Sequence, residues 1–154
     1  IEINTEVIRN DTEIISLVMS ISEYTGGAHG QENLITFNYD VKTGKEIIID
    51  DFIKKDPQFL EKLSKIIRPI LLEKFMKMAD SPSEQIDREM LDYGTLPTKE
   101  NFSVFSLPQN GKITFYFTEY QVAPYVFGSS EVNVSLPLET FPPVVGYIAD
   151  ILYE

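Results

Sequence analysis

One histidine, His29, sits among three glycines in the run Thr25-Gly26-Gly27-Ala28-His29-Gly30. It is the only histidine in 154 residues, and imidazole is the side chain that changes charge near neutral pH. A ring in that place suits either acid–base work or ligand contact. Acid–base work needs an orienting partner, and the loop itself has none: Glu23, Glu32 or a carboxylate distant in the chain would have to serve. The plainer reading is a turn histidine held by hydrogen bonds to backbone. The glycines are able to cradle an anion through their N–H groups. The loop lacks the phosphate-loop lysine, however, and lies between extended runs instead of opening a helix.

Other groups offer other chemistry. Paired carboxylates run glycoside hydrolysis, and Asp50-Asp51, Glu119 and Glu131 are available. One histidine with carboxylates suits calcium better than zinc, yet no calcium-loop spacing is present. No cofactor and no metal site is expected. Tyr116, Tyr120, Tyr125 and Phe127 concentrate aromatic surface with Phe115 and Phe117. Most of it reads as core. Tyr120 and Tyr125 flank Pro124, where rings reach solvent and are able to grip a protein or a sugar.

The elements that must position these groups follow from periodicity. Ile1–Arg9 reads as a strand. In Glu13–Tyr24, Ile15, Leu17, Met19 and Ile21 point one way, and Val18 interrupts a serine face otherwise suited to water. Leu34–Val41 alternates likewise and should pair with it antiparallel across the Gly-His loop. Asp40–Lys45 closes a second hairpin into a third strand over Glu46–Ile49. A helix follows Asp56-Pro57 with an apolar stripe to Phe75, and Pro69 predicts a kink or two abutting helices. A shorter helix runs from Ser81-Pro82 to a cap at Gly94. Phe102–Leu107 and Lys112–Thr118 read as a hairpin around Asn110-Gly111. Tyr120–Phe127 is an edge, a bulge or a crossing loop because Pro124 cannot donate to a ladder. Glu131–Leu136 is a last strand, and Pro142-Pro143 start a terminal helix. The expected fold is α+β: one domain over 1–154, an antiparallel sheet built from hairpins, packed on one face by a long Pro-kinked helix and shorter ones.

Composition narrows the partners. The formal charge is −11, which repels phosphate backbones and anionic membranes, so nucleic acid is disfavoured and a basic partner favoured. Residues 54–78 hold seven of the 13 basic side chains and three of the 24 acidic ones, so one helix is basic on an acidic body. There is no cysteine, which excludes disulfides and thiol catalysis. No run approaches a membrane span of about 20 apolar residues. The sequence opens at Ile1 without a signal-peptide pattern, as a fragment or a mature product does.

Three stretches, taken in order, resemble one family. They are Gly26–Gly30, Tyr39–Lys45, and Phe115-Tyr116-Phe117 continuing through Tyr120-Gln121-Val122-Ala123-Pro124-Tyr125-Val126-Phe127-Gly128. Together they look like the domain of unknown function shared by the anti-sigma factor RsiV and the cell-wall deacetylase PdaC. The resemblance implies an extracytoplasmic bacterial domain, free or anchored as a lipoprotein or ectodomain. It implies an architecture similar to a subdomain of the actin and heat-shock ATPase fold, without the nucleotide site. It also implies a non-catalytic binding or sensor role, with a lysozyme-like basic protein or cell-wall glycan as partner. The contact surface expected on this basis comprises Gly27, His29, Tyr120, Tyr125 and Gly128. Two alternatives stay open: a carbohydrate-active enzyme using Glu119 or Asp50 with His29, and an inert accessory domain of a larger surface protein.

Overall fold

A computed structural model describes residues 1–79, 86–109 and 111–135. Strands β1 (Glu2–Asn10), β2 (Ile14–Glu23) and β3 (Gln31–Asp40) form one antiparallel sheet in the order β1-β2-β3. Then come helices α1 (Ile49–Lys55), α2 (Phe59–Met78) and α3 (Arg88–Gly94). Strands β4 (Phe105–Ser106), β5 (Lys112–Phe117) and β6 (Ser130–Ser135) form a second antiparallel sheet in the order β4-β5-β6. The α+β class is as expected from sequence, but the expected single sheet is two.

The core lies between the second sheet and the helices. Period-two alternation in β5 and β6 buries Ile113, Phe115, Phe117, Val132 and Val134 on one face. Against them α2 lays Phe59, Leu63, Ile67, Leu71 and Phe75, all fully buried at helical spacing. Phe52 of α1 stacks on Phe59 at 5.1 Å and meets Phe105 edge-on at 5.6 Å. Side chains of this size contribute about 1.5–3 kcal/mol each when fully buried.

The first sheet is oriented against expectation. Its serine face, not its apolar face, turns toward the second sheet. Ser16 and Asn38 are buried there, and the reason is the edge of β4. A strand edge presents unpaired N–H and C=O groups, and these are satisfied by side chains of the first sheet. Thr36 Oγ1 accepts from Phe105 N–H at 3.2 Å, and Asn38 Nδ2 donates to the Phe105 carbonyl at 2.8 Å. Ser16 Oγ accepts from Leu107 N–H at 2.9 Å and donates to Asn38 Oδ1 at 2.7 Å. Ile15, Leu17, Met19 and Ile21 therefore face outward. A bulge at Ile8, where the register passes from Val7↔Leu17 to Arg9↔Ser16, brings Arg9 to the inner face. Its guanidinium is buried against Asp11, 2.5 Å away, and Glu13.

Several local expectations change. Glu46 makes one bridge to Tyr39 instead of opening a strand, and helix α1 starts at Ile49. Asp51 accepts from the Ile48 N–H at 3.1 Å, and with Asp50 it places negative charge on the first turn, where a helix favours it. Helix α2 continues through Pro69 as one assigned helix of 20 residues, so the two abutting helices do not occur. The start expected for the next helix, Ser81–Glu84, lies outside the described residues. Helix α3 is capped by Asp87, which accepts from Met90 N–H. Gly94 is its last residue, and it is glycine for room: a Cβ there would overlap the Gln121 carbonyl oxygen. Phe102 belongs to a 3-10 turn, Glu100–Phe102, and only Phe105–Ser106 is extended. The segment around Pro124 is a crossing loop between β5 and β6. Leu136 and the terminal helix expected from Pro142 lie outside the described residues.

Candidate functional site

Strands β2 and β3 pair over their whole length, from Ile14↔Asp40 to Glu23↔Gln31, and carry the Gly-His loop at their far end. The chain turns there because Gly26 and Gly27 take φ of +102° and +110°, a region open to glycine. Tyr24 donates its hydroxyl to the Gly27 carbonyl at 2.9 Å and fixes the loop. His29 leaves the loop exposed.

The crossing loop meets it from the other layer. Val122, Ala123 and Phe127 are buried and pin that loop to the core. Gln121 ties it to the end of α3 and the following turn, through the Gly94 and Asn101 carbonyls at 3.5 and 3.1 Å. Pinning at these points leaves Tyr120 and Tyr125 at the surface. Tyr120 has φ +64°, the one described non-glycine residue with positive φ. Such a conformation costs a tyrosine of order 1–3 kcal/mol and clusters at functional sites. Gly128, at φ +62°, ends the turn Tyr125–Phe127 and donates its N–H to the Tyr125 carbonyl at 2.8 Å.

Three rings converge. His29 stacks on Tyr125 with ring centres 4.0 Å apart and planes 21° apart. Its Nε2 lies 3.0 Å from the Tyr120 hydroxyl, and its Nδ1 lies 2.8 Å from the Gly30 carbonyl oxygen. A carbonyl only accepts, so Nδ1 carries a proton, and in the neutral ring Nε2 accepts from Tyr120. The structure thus brings His29, Tyr120 and Tyr125 together. Gly27 and Gly128 shape the two loops without joining the cluster.

Beside the cluster runs a groove of about 620 Å³, lined by Glu2, Glu23, Glu32 and Glu119 with Tyr24 and Tyr125. Glu32 accepts from the Ser129 hydroxyl at 2.8 Å, a second tie between the layers. Sequence reasoning named Glu23 and Glu32 only as candidate partners of His29, which neither is, and did not single out Glu2 or Tyr24. The available signal was parity: Glu2, Ser22 and Glu32 lie opposite one another in the strand register.

His29 forms no acid–base pair with Asp50 or Glu119. Both His29 nitrogens are taken, by a carbonyl and a phenol, and neither by a carboxylate. Asp50 lies on α1 and pairs with Lys99. Glu119 does line the groove. Asp40, in the second motif, holds its turn by accepting from the Lys42 and Thr43 N–H groups at 2.9 and 3.1 Å. Among the described residues, no three histidine or carboxylate side chains converge on a point that would hold a metal ion. None of the described helices is long and apolar enough to cross a membrane.

Residues 50–136 match the family model described as Protein of unknown function (DUF3298). The peptidoglycan-N-acetylmuramic acid deacetylase PdaC of Bacillus subtilis (strain 168) is 31% identical over 138 residues, 90% of this chain. The chain spans only 28% of that protein's length. A solved DUF3298 family member from Bacteroides fragilis NCTC 9343 superposes with a TM-score of 0.66 at 24% identity, over 94% of this chain and 56% of the other. Another, from Pseudomonas aeruginosa PAO1, gives 0.51 at 18% identity, over 91% and 63%. At these identities the two structures show the shared fold.

Proposed function

The chain belongs to the DUF3298 family of proteins of unknown function, and on that footing we propose that it is a non-catalytic binding or sensor domain of the bacterial cell envelope. Its partner is a basic protein of the lysozyme type. The observation that carries this reading is the convergence of His29, Tyr120 and Tyr125 beside a groove lined by four glutamates. Stacked aromatic groups give a contact surface of low entropy cost. Carboxylates on a chain of charge −11 steer a cationic partner and set its orientation. The relation to PdaC, whose name places it on peptidoglycan, supports the envelope location, outside the cytoplasm.

A second reading is favoured by the half-exposed Tyr120 and Tyr125 rings and the more exposed Tyr24: a sugar ring of cell-wall glycan stacks on such faces. Titration calorimetry with lysozyme and with muropeptides separates the two. Heat with lysozyme that falls as salt rises supports the first reading, and heat with muropeptides alone selects the second. No heat with either at about 100 µM, some hundredfold above a micromolar dissociation constant, sinks both. Turnover of a muropeptide by the purified chain would instead favour an enzyme built on Glu119.

A further inference from the structure

The seam between the two layers holds a second groove, of about 440 Å³. Its floor is the inner face of the first sheet. Asn4, Glu6, Val18, Ser20 and Leu34 line it, and strand register puts them on the face that carries Ser16 and Asn38. Its other side is Tyr116 of β5 with its register partner Glu131 of β6, and Lys74 reaches it from α2. This groove shares no lining residue with the one beside the rings. Glu32 lines the first and Ser129 the second, and the hydrogen bond joining them marks the boundary.

Two observations point to an occupant. Ser130 also lines the groove and is 3% exposed. Its hydroxyl is the one buried side-chain polar atom among the described residues with no hydrogen-bond partner. A buried hydroxyl left unpaired is costly, so an incoming group that supplies a partner is favoured. The second observation is that Glu6 and Glu131 face one phenol from opposite layers. Burial is the main cause that raises the Tyr116 hydroxyl above its ordinary 10.0, and the charges of Glu131 and Glu6 add to it. The phenol therefore keeps its proton, with Ser106 Oγ 2.9 Å away.

The mixture of lining groups decides the class of ligand. A cation would meet the Lys74 ammonium, and an anion would meet two carboxylates. An apolar molecule would take hydration from Ser20, Glu6 and Glu131 and return no hydrogen bond. A sugar hydroxyl donates one hydrogen bond and accepts two, so it answers carboxylate, ammonium and hydroxyl alike. The C–H face of a pyranose ring suits Val18 and Leu34. The volume lies within the roughly 300–1,000 Å³ of small-molecule sites. We propose that the interlayer groove is a saccharide site for one or two neutral pyranose rings. Glu6 and Glu131 accept from ring hydroxyls, Lys74 donates to them, and Ser130 offers the hydroxyl that lacks a partner. The site stands whether the ring cluster grips a protein or a glycan.

Amide NMR of the purified chain tests it. The probes are cellobiose, maltose and N,N′-diacetylchitobiose, with leucine and inorganic phosphate as charged comparators. At least one disaccharide should give saturating shifts at Ser20, Leu34 and Glu131, with a dissociation constant of about 1 mM or below. Glu131→Ala and Lys74→Met, at positions that solvent reaches, should each weaken that binding about tenfold. Tyr125→Ala, in the ring cluster, should leave it unchanged. No saturating shift with any disaccharide up to about 20 mM overturns the proposal. So does tighter binding of leucine or phosphate than of every disaccharide. Shifts confined to the Gly26–Gly30 and Tyr120–Gly128 loops, or full affinity in both charge variants, overturn it as well. None of these outcomes depends on whether lysozyme binds at the rings.

Discussion

The side-chain amide of Asn38 donates to the carbonyl oxygen of Phe105 at 2.8 Å, joining β3 to the edge of β4 that no described strand pairs. Both residues are buried. Asn38 also accepts from Ser16, which in turn accepts from Leu107 N–H, so one amide anchors a chain of polar groups between the sheets. Removing one partner of a buried hydrogen bond leaves the others unsatisfied, at about 1–3 kcal/mol for each group. Asn38→Ala should therefore lower the unfolding free energy by roughly 2–4 kcal/mol. Urea denaturation measures it, and a loss below about 0.5 kcal/mol would mean the chain of bonds is not formed.

Gly94 and Gly27 separate two uses of glycine. At Gly94 a Cβ would overlap the Gln121 carbonyl, which is backbone and has nowhere to move cheaply. At Gly27 nothing lies near a Cβ, and only the φ of +110° opposes a side chain. Gly94→Ala should cost about 2–4 kcal/mol of stability and displace the Tyr120 loop. Gly27→Ala should cost about 1 kcal/mol. Thermal unfolding of the two variants side by side gives the order, and a reversed order would refute the assignment.

Tyr120 holds its left-handed backbone while its hydroxyl donates to His29. Tyr120→Phe keeps the ring and removes the donor, so stability should fall by about 0.5–1.5 kcal/mol. Tyr125→Ala removes the stacked partner of His29, and on the proposed function the affinity for lysozyme should fall about tenfold or more with the fold intact. Calorimetry checks the affinity and far-ultraviolet circular dichroism the fold. Unchanged affinity in Tyr125→Ala would move the binding surface elsewhere.

Acid stability should show the hand of Asp11. Burial pushes its carboxyl upward, but the Arg9 guanidinium and the N–H groups of Glu13 and Ile14 outweigh it and hold the group below its ordinary 3.8. A carboxyl lower in the folded than in the unfolded chain contributes fully above the unfolded value and loses its contribution as pH falls through the folded one. Stability should thus decline below about pH 4, and the decline should be shallower in Asp11→Asn. Chemical denaturation midpoints between pH 6 and 2.5 make the comparison, and parallel curves would clear Asp11 of any part. Asp56 and Glu73, lowered chiefly by hydrogen bonds from Lys62 and Lys77, remain in both proteins and share the same limb.

The strands β1 to β3 were legible because alternation has a period of two, and the long helix because Phe59, Leu63, Ile67, Leu71 and Phe75 repeat at helical spacing. Alternation does not say which face meets water. The serine face looked like the solvent face, and only the position of β4 shows that its hydroxyls and amides have partners. Helix α1 was hidden because Asp50-Asp51 reads equally as a strand end and as a first helical turn. The grouping of the candidate residues was legible in part. His29, Tyr120 and Tyr125 were reached through the exposed tyrosines and the family resemblance. Spacing alone does not bring together two residues 91 positions apart, or add Glu32 and Ser129, 97 apart, as their neighbour tie.

Those two ties have a consequence for how occupancy is felt. His29 and Glu32 move with the first sheet, whereas Tyr120, Tyr125 and Ser129 move with the second. A ligand that grips both sets works as a staple across the seam, and it can bind only when the layers are docked. Its binding energy is then added to the docking of one sheet on the other, so the strands on both sides become harder to open together. Hydrogen exchange at Ser16, Asn38 and Leu107, deep in the seam and away from the rings, would slow when a partner takes hold at the surface. Capture of such a ligand would then be felt as rigidity in the middle of the domain, with no need for any residue to change place.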